Sequence, residues 1–262
     1  MRFKLTLQVN TTKFGNRLPI NYQYELSAAI YRILSHSNME YASWLHENGF
    51  VADNKHFKLF TYSNLIIPQY KIEKEKERLI IESNTIEWYI SFLPEKSTQR
   101  FIEGVFMDQT IQIGDKVSTV EFRVKEIQAL PPIEYQEVLS FETLSPVTIS
   151  HRITVKQTNY LSPDNPLYKS AILTGLLARY KAFYDQEYSG PLFIDLQLLN
   201  KPKSALVKIK SGTPQQIYVR GYRYKFTITL PIELMKIMYE SCLGEKGSVG
   251  FGCLKKITPK SL

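Results

Sequence analysis

The chain has 262 residues, 44% hydrophobic and 22% charged, enough to bury one large core or two of ordinary size. No run of about 18 apolar residues occurs, which excludes a membrane-spanning helix. Lys and Arg number 33 against 25 Asp and Glu, a net of +8; a polyanionic partner is one reading and a basic, solvated enzyme surface the other.

The start, MRFKLTLQVNTTKFG, has no apolar signal core, and its Phe3, Leu5, Leu7 and Val9 alternate as in a half-buried strand. Asn21 is a natural cap for a helix from Tyr22, with Leu26, Ile30, Ile33 and Leu34 on one face. MEYASWLHENG reads as a second helix ended by Gly49. FKLFTYS (57–63) reads as a strand, and RLIIES and TIEWYISF (78–92) as two more, joined near Asn84. EKEKE (73–77) between them alternates in sign, as a solvated edge or loop does. A helix over 94–108 and a strand over 120–130 complete β-α-β-β-α-β, a ferredoxin-like order with an extra helical turn.

Pro131-Pro132 mark a break. Beyond it come the strand EVLSFETL and a long helix over about 164–187, capped by Asp164 with Pro166 in its first turn. Strands follow near 191–199, 204–210 and through QIYVRGYRYKFTITL (216–230). Pro231 then opens a helix to about Cys242, and SVGFGCLKKI closes the chain. The fold class is α+β: two tandem ferredoxin-like domains, 1–130 and 131–262.

GEKGSVGFG (244–252) holds four of the twelve glycines. It is not a nucleotide loop. Cys253 and Leu254 stand where a P-loop needs Lys and Ser/Thr, and the segment follows a helix, whose C-terminal end repels phosphate. Glycines at 250 and 252 inside a strand-like run point instead to another backbone approaching closely.

Metal chemistry finds little support: His46-Glu47 begins like a zinc-protease helix, but position 50 is Phe. Cys242 and Cys253 lack ligand spacing and read as reduced thiols of a cytosolic protein. No serine nucleophile elbow occurs. Of His36, His46, His56 and His151, only His46 stands out, at the end of a short helix. Tyr31 falls at the edge of an apolar helix face, and Lys58 alternates with Phe57 and Leu59 like a solvent-facing residue.

LSAAIYRIL, YASWLHENGF and FKLFTYSNL (26–65), LSPVTIS (144–150) and GEKGSVGFGCLKK (244–256) together resemble the CRISPR repeat-RNA processing endoribonucleases of the RAMP superfamily. That family opens its loop Gly-hydrophobic-Gly, where this chain has Cys242-Leu243-Gly244. The resemblance implies tandem ferredoxin-like domains and metal-independent cleavage without a cofactor. A ribose 2′-OH attacks its own phosphate, leaving a 2′,3′-cyclic phosphate and a 5′-OH. It implies His46 as general acid/base, with Tyr31 and Lys58 beside it.

It also makes Gly244, Lys246, Gly247, Ser248, Gly250 and Gly252 a cradle for RNA backbone. Basic residues of the second half add to that surface: Arg152, Lys156, Lys208, Arg220, Arg223 and Lys225, several sharing a strand face. The partner implied is CRISPR repeat RNA, single-stranded or hairpin, and effector-complex proteins are further candidates. A repeat-RNA-binding module that does not cut is the rival reading. The oligomeric state stays open, a homodimer included.

Overall fold

A computed structural model describes residues 1–152 and 158–258, of Arg152 only the backbone. The apolar alternation of β1 (Arg2–Asn10) puts Phe3, Leu5 and Leu7 on one buried face. After α1 (Gln23–Ser37) and α2 (Met39–Glu47) come a short hairpin, β2 (Phe50–Ala52) with β3 (Lys55–Phe57), and then β4 (Phe60–Tyr62). β5 (Thr85–Phe92), α3 (Glu95–Met107), β6 (Thr110–Gly114) and β7 (Thr119–Ala129) finish the first half. Its sheet runs β4-β5-β1-β7-β6, antiparallel throughout. The ferredoxin-like topology is there, with β6 added at one edge. Leu5 lies opposite Trp88 and Leu7 opposite Ile86, and α1 and α3 cover that face with Leu26, Ile30, Ile33, Phe101 and Val105.

The second half repeats the plan with β8 (Val138–Thr143), α4 (Tyr168–Tyr184) and β9 (Asp195–Leu198). The hairpin β10 (Lys203–Ile209) and β11 (Ile217–Arg223) then projects away before β12 (Lys225–Thr229), α5 (Ile232–Ser241) and β13 (Leu254–Ile257). The sheet order is β9-β12-β8-β13. Its core gathers Phe141, Phe226, Ile228, Ile172, Leu176 and Met238.

Several local expectations are corrected. Asn21 caps nothing: α1 starts after Tyr22 without a side-chain cap, and Asn21 Oδ1 accepts the Lys208 N–H at 3.0 Å. α4 begins after Leu167, also uncapped, and Asp164 accepts a bond from Ser162 Oγ instead. The strands at 78–92 do not form a hairpin. Arg78–Ile81 pairs with Arg17–Pro19 and Tyr70–Glu73 in a small separate sheet, from which Leu18, Leu79 and Ile81 still reach the first core. The run 216–230 breaks at Tyr224, which turns inward to bond Tyr168 Oη to Oη at 2.7 Å.

The strand expected over 57–63 also breaks, at Lys58-Leu59. Leu59 adopts a left-handed φ of 53° and donates its buried side chain to the second core, whereas Phe60 enters the first. A non-glycine residue in this region costs on the order of 1–3 kcal/mol. Burying Leu59 offsets much of that, contributing roughly 1.5–3 kcal/mol.

α1 and α3 cross so closely that a Cβ on Gly104 would lie 1.9 Å from the Ile33 carbonyl oxygen. Gly104→Ala gains about 1 kcal/mol of helix propensity but forces the helices apart, at a cost of about 1–3 kcal/mol. A lowered melting temperature in calorimetry is the expected outcome; a raised one would show that the crossing can relax.

Candidate active site and interdomain cleft

Tyr31 projects from the middle of α1 and His46 from the last turn of α2. Their rings meet edge to face, centroids 4.9 Å apart at 85°. This follows from the tight α1-α2 connection: Asn38 ends α1 and caps α2, its Oδ1 accepting the Tyr41 N–H at 2.7 Å. The Tyr31 ring also packs on Phe60 at the start of β4, centroids 5.8 Å apart. His46 is exposed and Tyr31 half-buried, and burial pushes the Tyr31 hydroxyl well above its ordinary value.

Lys58 is not solvent-facing. The break at Leu59 turns it inward, and its Nζ is buried with no hydrogen-bond partner among the described residues. Burial lowers its pKa, and the charge of Glu47 partly opposes this. Lys58, Phe60 and Lys246 all line a cleft of about 880 Å³ between the two halves. Neither Tyr31 nor His46 lines it: Tyr31 reaches it through Phe60, and His46 packs on Tyr31. His56 and His151 also line it, His56 with Nδ1 2.8 Å from the Asn48 carbonyl oxygen. Sequence reasoning passed over both; the only signal was that His56 stands two residues before Lys58. His36 lies elsewhere, near Asp108.

The glycine loop wedges between the halves. A Cβ on Gly247 would sit 2.7 Å from the Phe60 carbonyl oxygen, and one on Gly250 the same distance from the Tyr62 ring. Ser27 Oγ donates to the Ser248 carbonyl at 2.7 Å, and Thr61 Oγ1 to that of Phe251 at 2.8 Å. The close backbone approach inferred from the glycines is therefore met by the chain's own β4 and α1. At 242 no glycine is needed, because φ there is 166°, ordinary extended backbone. Gly244, at φ 80°, packs on the Thr148 carbonyl, while Gly252, at φ 72°, packs on that of Leu243. Lys246 is left-handed, at φ 61°, and exposed.

The basic residues divide. Lys208 bonds both Glu77 oxygens at 2.7 Å, tying the hairpin to the first half through the last residue of EKEKE. Arg220, exposed, donates to Ser204 Oγ at 3.0 Å and lies on the opposite hairpin face from Arg223. Arg223 is half-buried beside Tyr22, whose hydroxyl burial pushes up to about 12 against the opposing pull of the Leu65 amide and the Arg223 charge. Lys225 stands 3.7 Å from Glu142, a surface pair of little weight. Arg152 ends the short strand paired with Thr158–Tyr160, and Lys156 lies outside the described residues. No cluster of three or more His, Cys, Asp or Glu able to hold a metal ion occurs among the described residues.

Two family models match: "CRISPR-associated protein Cas6, N-terminal" over residues 17–128 and "CRISPR associated protein Cas6, C-terminal" over 124–256. The chain is 29% identical to CRISPR-associated endoribonuclease Cas6 1 of Methanocaldococcus jannaschii, covering 100% of this chain and 94% of that one. It is 27% identical to CRISPR-associated endoribonuclease Cas6 of Pyrococcus furiosus, over 97% and 89%. Among solved structures, a Cas6-related protein from Pyrococcus furiosus superposes with a TM-score of 0.82 at 25% identity, over 99% of both chains.

Gly250 and Gly15 separate crowding from backbone strain. Both have positive φ, 86° and 84°, but a Cβ at Gly15 meets nothing within 4 Å. Gly250→Ala should cost several kcal/mol and lower the melting temperature by roughly 4–10 °C. Gly15→Ala should lose only the strain of its own backbone, at φ 84° and ψ −156°, about 1–3 kcal/mol. Equal losses in a thermal melt would refute the wedge.

Proposed function

The chain belongs to the Cas6 family of CRISPR-associated proteins, and from that premise we propose that it is an endoribonuclease cleaving the repeats of a CRISPR precursor transcript. The observation that carries this reading is the Tyr31-His46 ring pair, joined through Tyr31 to Phe60 of a cleft wall where Lys58 Nζ has no hydrogen-bond partner among the described residues. Cleavage is metal-independent: the 2′-OH at the cut site attacks the adjacent phosphorus in line, and the 5′-oxygen leaves. The new P–O bond closes a 2′,3′-cyclic phosphate, and the departing oxygen takes up a proton as a 5′-OH.

This reaction needs a proton acceptor or donor near neutrality, and an imidazole, ordinarily titrating at about 6.5, supplies it. His46 is open to solvent and so to substrate, and one edge of its ring is fixed by Tyr31. Tyr31, its hydroxyl held protonated by burial, orients the ribose by hydrogen bonding rather than acting as a base. Lys58 faces the charge that grows on the phosphorane oxygens, its positive charge unshared with any protein acceptor among the described residues. Requiring the 2′-OH restricts the reaction to RNA without reading a base.

The glycine loop with Lys246, the exposed Arg220 and Lys225, and the half-buried Arg223 supply backbone affinity on the second half. Gly244, Gly247, Ser248, Gly250 and Gly252 act chiefly by holding that loop against β4. The partner is repeat RNA, and a place in a larger effector complex is compatible with the same surface.

Repeat RNA should be cut in EDTA, and a single 2′-deoxy substitution at the cut site should abolish the product. His46→Ala should lower the single-turnover rate by about 10²–10⁴. Tight binding of native RNA with no cleavage would instead identify a binding module. Wild-type rates from His46→Ala would remove His46 from the chemistry.

Burial lowers the Lys58 pKa, so its charge is lost as pH rises at a lower pH than for a free lysine. The cleavage rate should therefore fall on the alkaline side, below the lysine value of about 10.4. Lys58→Arg should move that limb upward in a pH-rate profile, and Lys58→Met should flatten it at a reduced rate.

A further inference from the structure

Arg179, on α4, is 3% exposed and lines the cleft. Three of its donor contacts are to neutral groups: Nε to the Gly175 carbonyl at 3.1 Å, Nη1 to the Cys242 carbonyl at 2.6 Å and to Cys242 Sγ at 2.8 Å. A longer one reaches Ser241 Oγ at 3.5 Å. The Nη1 contact caps the end of α5, whose partial negative charge accounts for part of the guanidinium's stabilisation. Nη2 has no acceptor, and no carboxylate pairs with Arg179 among the described residues. The Cys242 thiol does not serve as a counter-ion, since burial raises its pKa despite the arginine.

A buried cation with only neutral partners is costly unless an anion joins it. Arg2, also buried, has an unpartnered Nε of its own, but both its Nη groups donate to carbonyls and it does not line the cleft. Nη2 itself is buried, but a Cβ built on Gly175 would meet Nη2 alone within 4 Å, at 3.8 Å, so there is open space beside the guanidinium at Gly175. A second unpartnered buried cation, Lys58 Nζ, lines the same cleft. Glu245 also lines it, but Ser150 takes up its carboxylate, through N–H at 3.1 Å and Oγ at 2.7 Å.

We propose that Arg179 Nη2, approached through the space beside Gly175, is a phosphate subsite that holds one phosphodiester of RNA lying along the cleft. The proposal rests on the RNA-binding reading above and adds a residue to it. Arg179 is a positioning residue: it fixes the backbone register of the strand relative to Lys58 and His46, and takes no part in proton transfer.

Binding of repeat RNA with a 2′-deoxy cut site is measured by fluorescence anisotropy from about 50 to 200 mM salt. Arg179→Met should weaken it by at least about tenfold. The slope of log K against log salt should fall by about 0.7, the share of one single-strand phosphate. Gly175→Leu leaves Arg179 and its caps intact, gains helix propensity and covers Nη2. It should reproduce both effects, which keeps the test open if Arg179→Met fails to fold. Wild-type affinity and slope in Gly175→Leu would overturn the proposal.

A separate arm uses inorganic phosphate against chloride at equal ionic strength. Phosphate should raise the melting temperature of wild type and not that of Gly175→Leu; equal shifts, or none in wild type, would overturn the subsite. If wild type binds no repeat RNA, the functional reading fails, and a phosphate shift confined to wild type still establishes the anion site.

Discussion

The contact on which the rest of the molecule depends is the seating of the glycine loop against β4. Thr61 is fully buried, and its hydroxyl donates to the Phe251 carbonyl; the neighbouring Phe60 carbonyl and Tyr62 ring leave no room for a Cβ at 247 or 250. A hydrogen bond between buried groups contributes about 0.5–1.5 kcal/mol, but leaving either group unpaired costs more. Phe251 extends the seam by packing under the β10-β11 hairpin with Val207, Ile209 and Val219.

That seam also explains the unusual backbone at Lys58-Leu59. Three successive side chains have three destinations: Lys58 the cleft, Leu59 the second core, Phe60 the first. A regular strand alternates between two faces and cannot serve three. The left-handed turn at Leu59 resolves this, and it leaves an ammonium inside the cleft wall rather than in solvent. The same residues that join the halves thus hold the cation that the chemistry requires.

The net charge of +8 is not spread evenly over function. Lys208 is consumed by Glu77 in joining the hairpin to the first half, and Arg2 holds the Tyr239 carbonyl across the seam at 2.7 Å. Lys58 and Arg179, in contrast, form no ion pair among the described residues and line the cleft, with the Glu47 charge acting on Lys58 without bonding it. Surface lysines steer a polyanion toward the protein; the buried pair gains more from each phosphate, because charges there are less screened.

The alternation of Phe3, Leu5 and Leu7, the 3.6-residue face of Leu26, Ile30 and Ile33, and the repeated β-α-β-β-α-β order made both halves of the fold legible from the chain alone. Such periods are local and survive any arrangement of neighbours. His46, Tyr31 and Lys58 were reached through family resemblance, since nothing local distinguishes a cleft lysine from a solvated one. Tertiary structure alone decided that Asn21 and Lys208 are ties between the halves, that the four glycines first serve the protein's own packing, and that Arg179 is buried without a counter-charge. In sequence Arg179 is one more helical arginine. Burial and the missing acceptor are properties of what surrounds a side chain, and the Ser241 and Cys242 groups that meet Nη1 lie more than sixty residues away.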